Sequence, residues 1–203
     1  MILQDLQLKQ SMMEKLFFKI LMPLMVLSIG LASAQKKQVA EFEVPDMPIN
    51  KETNLVTYSA VTDIQATKDE LYKRGINFFN SNYKNPSDVL KIQDLDGGEI
   101  EGVARFKILN PADKKGFQTE AGLVSYTINL KVKNDKYKYE ITKINWKQVS
   151  YYGIEKWMDK NSPSYNNNYD YYLIQTHEHM KELEEKLKAG MQKPSVQPKN
   201  NDW

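Results

Sequence analysis

Cysteine is absent from all 203 residues. That excludes a disulfide framework, a cysteine-based metal site and a thiol nucleophile. An excess of one charge is also missing, since 28 Lys+Arg stand against 26 Asp+Glu for a formal +2. A dedicated nucleic-acid binder normally carries a clear basic surplus, so no nucleic-acid partner is expected. Histidine occurs only at His177 and His179. On a helix, residues i and i+2 point roughly 200° apart, so these two cannot share one ion. The i, i+4 spacing of the zinc proteases is missing. His179 with Glu182 has helical spacing, but two ligands make a poor metal site. No metal and no cofactor is expected. Gly-x-Ser-x-Gly, P-loop and dinucleotide fingerprints are lacking too, and nothing repeats internally.

No apolar run is long enough to span a bilayer. The longest, Ile20 to Leu31, would reach only about 18 Å as a helix, against ~30 Å of hydrocarbon. Lys15 and Lys19 precede it, and Ala32-Ser33-Ala34 follows with small residues where a signal peptidase reads. This is a signal-peptide pattern, with cleavage expected after Ala34. Asp5 and Gln10 sit where a short basic region belongs, so translation is expected to start at Met12 or Met13. No cysteine follows the small residues, which excludes a lipoprotein. The mature protein is expected in the periplasm or outside the cell, and not as an integral membrane protein.

What remains is ordinary globular composition, 41% hydrophobic and 27% charged. It suits one domain with tails. The boundaries read as a signal peptide over 1–34, an extended leader over 35–52, one domain over 53–192 and a disordered tail over 193–203. The clearest pattern is Leu123 to Trp146. Val124, Tyr126, Ile128, Leu130 and Val132 alternate with polar residues, so one face is buried and one is wet. Asn134-Asp135 is a two-residue turn. Tyr137, Tyr139 and Ile141 resume the apolar phase, but Ile144 and Trp146 fall on the other parity. A bulge near Thr142–Lys143 is expected, re-aiming Trp146 toward the tyrosine-rich segment that follows.

Other elements follow the same logic. Leu55 to Thr62 is rich in β-branched and aromatic residues and reads as a strand, and Phe42 and Val44 suggest a short edge strand. Thr67-Lys68-Asp69-Glu70 is a capping box, with Glu70 reaching back to the cap. The helix it opens runs to about Asn82, with Leu71, Gly75, Phe78 and Phe79 on one face. Val89 to Gln93 is a short strand, and Asp96-Gly97-Gly98 a turn. Glu99 to Leu109 alternates again, and its small Gly102 and Ala104 are where the first helix crosses closely. A last helix runs from about Tyr169 to Met191 on a stripe of Leu173, Met180, Leu183 and Leu187. Its wet face is assigned to Glu182, Glu184 and Glu185 with Lys181, Lys186 and Lys188.

Three of these stretches carry a resemblance. Thr67 to Gly75 with Phe78 and Phe79, then Gly98-Glu99-Ile100-Glu101-Gly102, then Lys136-Tyr137-Lys138-Tyr139 resemble a family of exported bacterial domains of unknown function. Its fold is like that of the TATA-box-binding protein (TBP). The resemblance covers about residues 40–145, and more loosely the last helix. Family members often carry Trp where Phe78 or Phe79 stands, so an aromatic anchor is preserved. The loop 110–120 and the segment 147–170 are not matched. The family has no established catalytic residues, and none is transferred.

The fold expected is α+β, a curved antiparallel sheet in the order β-α-β-β-β-β-α with both helices on one face. The wet sheet face then gathers Arg105, Lys107, Lys131, Lys133 and Lys138, with Glu101 and Glu140 between them. Tyr151, Tyr152 and Trp157 offer aromatic rings for stacking or for interface anchoring, although the favoured reading of their segment is packing at the end of the sheet and under the last helix. These eight residues are the candidate binding set. The first expectation is a non-catalytic module that binds a protein or glycan of the cell envelope. A second is an envelope-polymer enzyme using Asp94, Asp96 or Glu99, which requires carboxylates converging in a cleft. A third is a structural dimer formed through edge strands.

Overall fold

A computed structural model describes residues 42–147 and 150–195. The expected signal peptide and translation start lie outside these residues, as do the first part of the leader and the last part of the tail. Among the described residues no helix is long and apolar enough to cross a membrane.

The long hairpin forms as its alternation requires. Strands β4 (Glu120–Lys133) and β5 (Lys136–Lys147) pair antiparallel around Asn134-Asp135. Only Asp135 takes positive φ, at 59°, a conformation that aspartate tolerates. The turn has a second role that its spacing did not announce. Asn134 Oδ1 accepts the Lys68 N–H at 2.8 Å, and Asp135 Oδ1 accepts the Ala66 N–H at 3.0 Å. The hairpin tip therefore satisfies amides at the start of the first helix.

Strands β1 (Tyr58–Asp63), β2 (Leu90–Asp94) and β3 (Glu99–Leu109) complete an antiparallel sheet in the order β1-β5-β4-β3-β2. A further short strand, β6 (Tyr151–Gly153), pairs with the end of β5. Three residues carry no readable period, so β6 was not legible beforehand. Phe42 and Val44 form no strand. Phe42 lies against Tyr171 with ring centroids 4.9 Å apart, and Met47 is buried in the core. The first strand begins at Tyr58 rather than Leu55, because Val56 makes an isolated bridge to Ile49 instead.

The bulge lies where the parity slip placed it. Ser125 pairs with Asn145 and Thr127 with Thr142, so β5 carries one extra residue. Lys143 takes φ of 51° there. Ile144 and Trp146 turn inward as a result. The Trp146 ring meets Trp157 at 5.5 Å, Tyr172 at 5.8 Å and Tyr169 at 6.1 Å.

Helices α1 (Lys68–Asn82) and α3 (Asn168–Gln192) both pack on the face of Ile100, Tyr126, Ile128 and Leu130. Between α1 and β2 lies a single helical turn, α2 (Pro86–Val89), and a 3-10 turn spans Ile154–Met158. The close crossing is real. A Cβ on Gly102 would stand 2.5 Å from the Phe79 ring, and one on Gly75 2.7 Å from Ile100 Cδ1 and Leu130 Cδ2. Sheet backbone and helix backbone approach here because neither position carries a side chain. The fold class is α+β with an open antiparallel sheet and both helices on one side.

The capping box is only half made. Thr67 Oγ1 accepts the Glu70 N–H at 3.2 Å, but the Glu70 carboxylate does not reach back. It takes Arg74 Nε at 2.8 Å and both the N–H and hydroxyl of Ser195. Buried Arg74 also donates Nη1 to the Met191 carbonyl at 3.0 Å, satisfying the end of α3. The Ser195 hydroxyl, then the Ser195 N–H and the Arg74 guanidinium, hold the Glu70 carboxyl at about 2 against the upward push of burial. A depressed folded value means that this stability is complete above pH 4.5, the ordinary value, and lost as pH falls toward 2. Glu70→Gln is therefore expected to flatten the acid limb of the melting temperature across that window. An unchanged limb would assign the acid sensitivity to other carboxylates.

Candidate binding surface on the open sheet face

Helices cover one face of the sheet and no described element covers the other. Antiparallel registry sets what lies side by side on it. Glu99, Lys131 and Lys138 form one cross-strand row, and Glu101, Asn129 and Glu140 the next. Val103, Thr127 and Thr142 follow, then Arg105, Ser125 and Asn145, then Lys107, Leu123 and Lys147.

The five basic residues expected on this face are all exposed there, but they do not form one basic patch. Near the hairpin tip the charges are largely balanced. Lys131 stands 3.5 Å from Glu99, Lys138 3.7 Å from Glu140 and Lys136 3.0 Å from Asp63. Asn129 Nδ2 donates to Glu99 at 2.6 Å and Glu101 at 3.3 Å. Lys133 is the exception, with no carboxylate within 4.0 Å among the described residues. Lys107 pairs with Glu120 at 2.8 Å. Such exposed pairs contribute little stability, ~0–1 kcal/mol each, but they cancel local charge.

The other end of the face differs. A cleft of about 440 Å³ runs from α2 across the edge of β3 toward β6. Lys84, Lys91, Arg105 and Lys147 line it against a single carboxylate, Asp88. None of these four cations forms an ion pair among the described residues, although Lys91 donates to the Asp88 carbonyl at 2.7 Å. Val103, Leu123 and Tyr151 supply apolar surface. Of these cations only Arg105 was in the expected set. Lys147 was recoverable from registry with Leu123 and Lys107, whereas Lys84 sits in a loop and had no signal.

The aromatic candidates separate sharply. Tyr151 is 67% exposed, and its ring is free at the end of the cleft. Tyr152 is half-buried, packed on Trp146 at 6.5 Å with Lys156 Nζ 4.8 Å over its ring. Trp157 is 0% exposed. Its ring stacks on Tyr169 at 5.8 Å and touches Trp146 and Tyr172, which makes it a core residue and not a binding one.

The three carboxylates do not converge into acid/base geometry. Asp94 is exposed and its Oδ1 accepts the Gly97 N–H at 2.8 Å, closing the turn. Asp96 is exposed, and its carbonyl accepts Lys68 Nζ at 3.0 Å. Glu99 is engaged by Asn129 and Lys131. Neither depression on the open face includes any of the three.

The histidines part as helical geometry requires. His177 Nδ1 shares a 3.0 Å hydrogen bond with the Tyr58 hydroxyl, and burial holds its ring below the usual imidazole range. His179 stacks on Phe106 at 3.8 Å, and burial lowers it likewise. Glu184 overturns its assignment to the wet face of α3. It is 5% exposed and accepts the Tyr139 hydroxyl at 2.6 Å and Lys181 Nζ at 2.7 Å. Burial pushes its carboxyl up, but these two partners outweigh that and hold it below the ordinary range. The pair locks α3 to β5 and lies on the helix side of the sheet, away from the cleft.

Comparison with known proteins bears on fold. Residues 58–147 match the family model described as a domain of unknown function (DUF4468) with TBP-like fold. A DUF4468 family protein from Bacteroides ovatus superposes with a TM-score of 0.57 at 17% identity, covering 81% of this chain and 100% of that one. A TBP-like protein from Parabacteroides distasonis gives 0.56 at 14% identity, covering 73% and 99%. No curated protein matches the chain.

Proposed function

We propose that the chain, whose residues 58–147 match the model of a domain of unknown function (DUF4468) with TBP-like fold, is an exported, non-catalytic module that binds a protein or glycan of the cell envelope through its open sheet face. The observation that carries this reading is the uncovered face itself, with cations that have no ion pair among the described residues gathered beside apolar ones at one end. At the hairpin tip, by contrast, most lysines are paired. The signal-peptide pattern supports an envelope address. Most of the tyrosine-rich segment packs inward, which leaves Tyr151 as its contribution to the surface.

The test is site-specific photo-cross-linking in intact cells, followed by mass spectrometry. Probes at exposed Val103 and Lys133 report the open face, and a probe at exposed Glu178 on α3 reports the covered side. Adducts are expected from the first two, and Arg105→Glu with Lys131→Glu should remove them. Adducts at Glu178 alone would move the binding surface to the helices. Adducts joining two copies through a probe at Val61, which is 60% exposed on edge strand β1, would favour the dimer.

A further inference from the structure

The edge of β3 leaves backbone groups without partners. Strand β2 pairs with β3 only from Glu99 to Gly102. In an antiparallel strand the N–H and C=O of successive residues point to alternate sides. The Asn110 N–H donates to the Thr119 carbonyl at 2.8 Å, and the Gly98 carbonyl accepts the Val132 N–H at 2.8 Å. Even-numbered residues of β3 therefore face β4, and odd-numbered ones face away.

Leu109 shows what this edge requires. Its N–H donates to Gln175 Oε1 at 2.9 Å, and its carbonyl accepts Gln175 Nε2 at 2.9 Å. A side-chain amide from α3 stands in for a strand residue and closes that end. Arg105 and Lys107 have the same orientation, yet no described residue pairs with their main chain. The cleft opens here. Val103, Ala104 and Arg105 all line it although their side chains alternate between faces, so it borders the strand's edge as well as its face.

We propose that the β3 edge at Arg105–Lys107 accepts an extended acidic peptide as an added strand, with cations of the adjoining cleft holding its carboxylates. This rests on the reading of the open face as the binding surface, and narrows it to a protein ligand and to one edge. Main-chain pairing supplies affinity in such complexes, and side-chain pockets supply selectivity. Charge on an edge strand deters pairing with neutral or basic strands; the same charges favour an acidic one. A glycan could use the cations but has no regular amide ladder to match the edge.

The probes are fluorescent ten-residue peptides of alternating glutamate and valine, the lysine–valine counterpart, and the glutamate–valine peptide N-methylated at successive amides, which blocks both of its edges. An oligogalacturonate serves as a polyanion without amides. Only the unmethylated acidic peptide should bind well, with methylation weakening it at least tenfold. Lys107→Pro removes an outward N–H without touching the β4 ladder, a substitution that edges tolerate. It should weaken binding at least tenfold beyond Lys107→Gln, which loses the same charge, with both variants confirmed folded by thermal melting. Equal binding by the methylated peptide, by oligogalacturonate, or by the two Lys107 variants would overturn strand addition. Open-face cross-links persisting in cells would then leave the broader reading standing. Cross-links confined to α3 would remove that reading.

Discussion

Trp157→Ala is expected to destabilise the protein by about 3–5 kcal/mol, the range for emptying a buried aromatic site. The indole is 0% exposed and lies among Trp146, Tyr169 and Tyr172. Its loss leaves a hole between the 3-10 turn and α3 that the three surrounding rings cannot collapse to fill. In a domain of this size the melting temperature should fall by ~10 °C or more. Tyr151→Ala is the matched control. That ring is 67% exposed, so the change should stay within about 0.5 kcal/mol. Thermal and denaturant unfolding of both variants decide the matter. If Trp157→Ala melts with the parent, the ring is not part of the core and its place among the binding residues returns.

The misplacement of Trp157 has a physical source. Periodicity tells buried from exposed only where a repeat exists, and residues 147–168 have none. Trp146 was legible because its parity conflicts with a long, regular strand. The hairpin, the bulge and β3 were legible for the same reason. Charge pairing was not, because it depends on registry between strands. Lys131 is neutralised by Glu99, 32 positions earlier in the chain, through the β3–β4 pairing. Glu184 was misread because helical spacing beside Lys181 and Lys188 suits a surface ladder. Burial was decided by the Tyr139 hydroxyl opposite, which only the packed structure supplies. The cleft is the extreme case. Its cations come from a loop, from β2, from β3 and from the end of β5, and no local pattern links them.

Gly75→Ala should destabilise the protein, although the same change in an exposed helix would stabilise it. Alanine exceeds glycine in helix propensity by about 1 kcal/mol, and overpacking a filled core costs about 1–3 kcal/mol. The new Cβ would stand 2.7 Å from both Ile100 Cδ1 and Leu130 Cδ2. Both neighbours are 0% exposed, so their methyl groups have nowhere to retreat. Overpacking wins by about 1 kcal/mol, the difference between these two terms. Gly75→Leu should cost about 3 kcal/mol or more, since it would lift α1 off the sheet. A double-mutant cycle separates clash from backbone effects. Leu130→Ala alone should cost about 2–5 kcal/mol for its cavity. If the clash is the cause, Gly75→Ala should cost less in that background than in the parent, because the Leu130 contact is gone and Ile100 Cδ1 can shift into the vacated space. Strict additivity would mean that the glycine is needed for its backbone, and that the close crossing of α1 over β3 and β4 is a consequence of packing elsewhere.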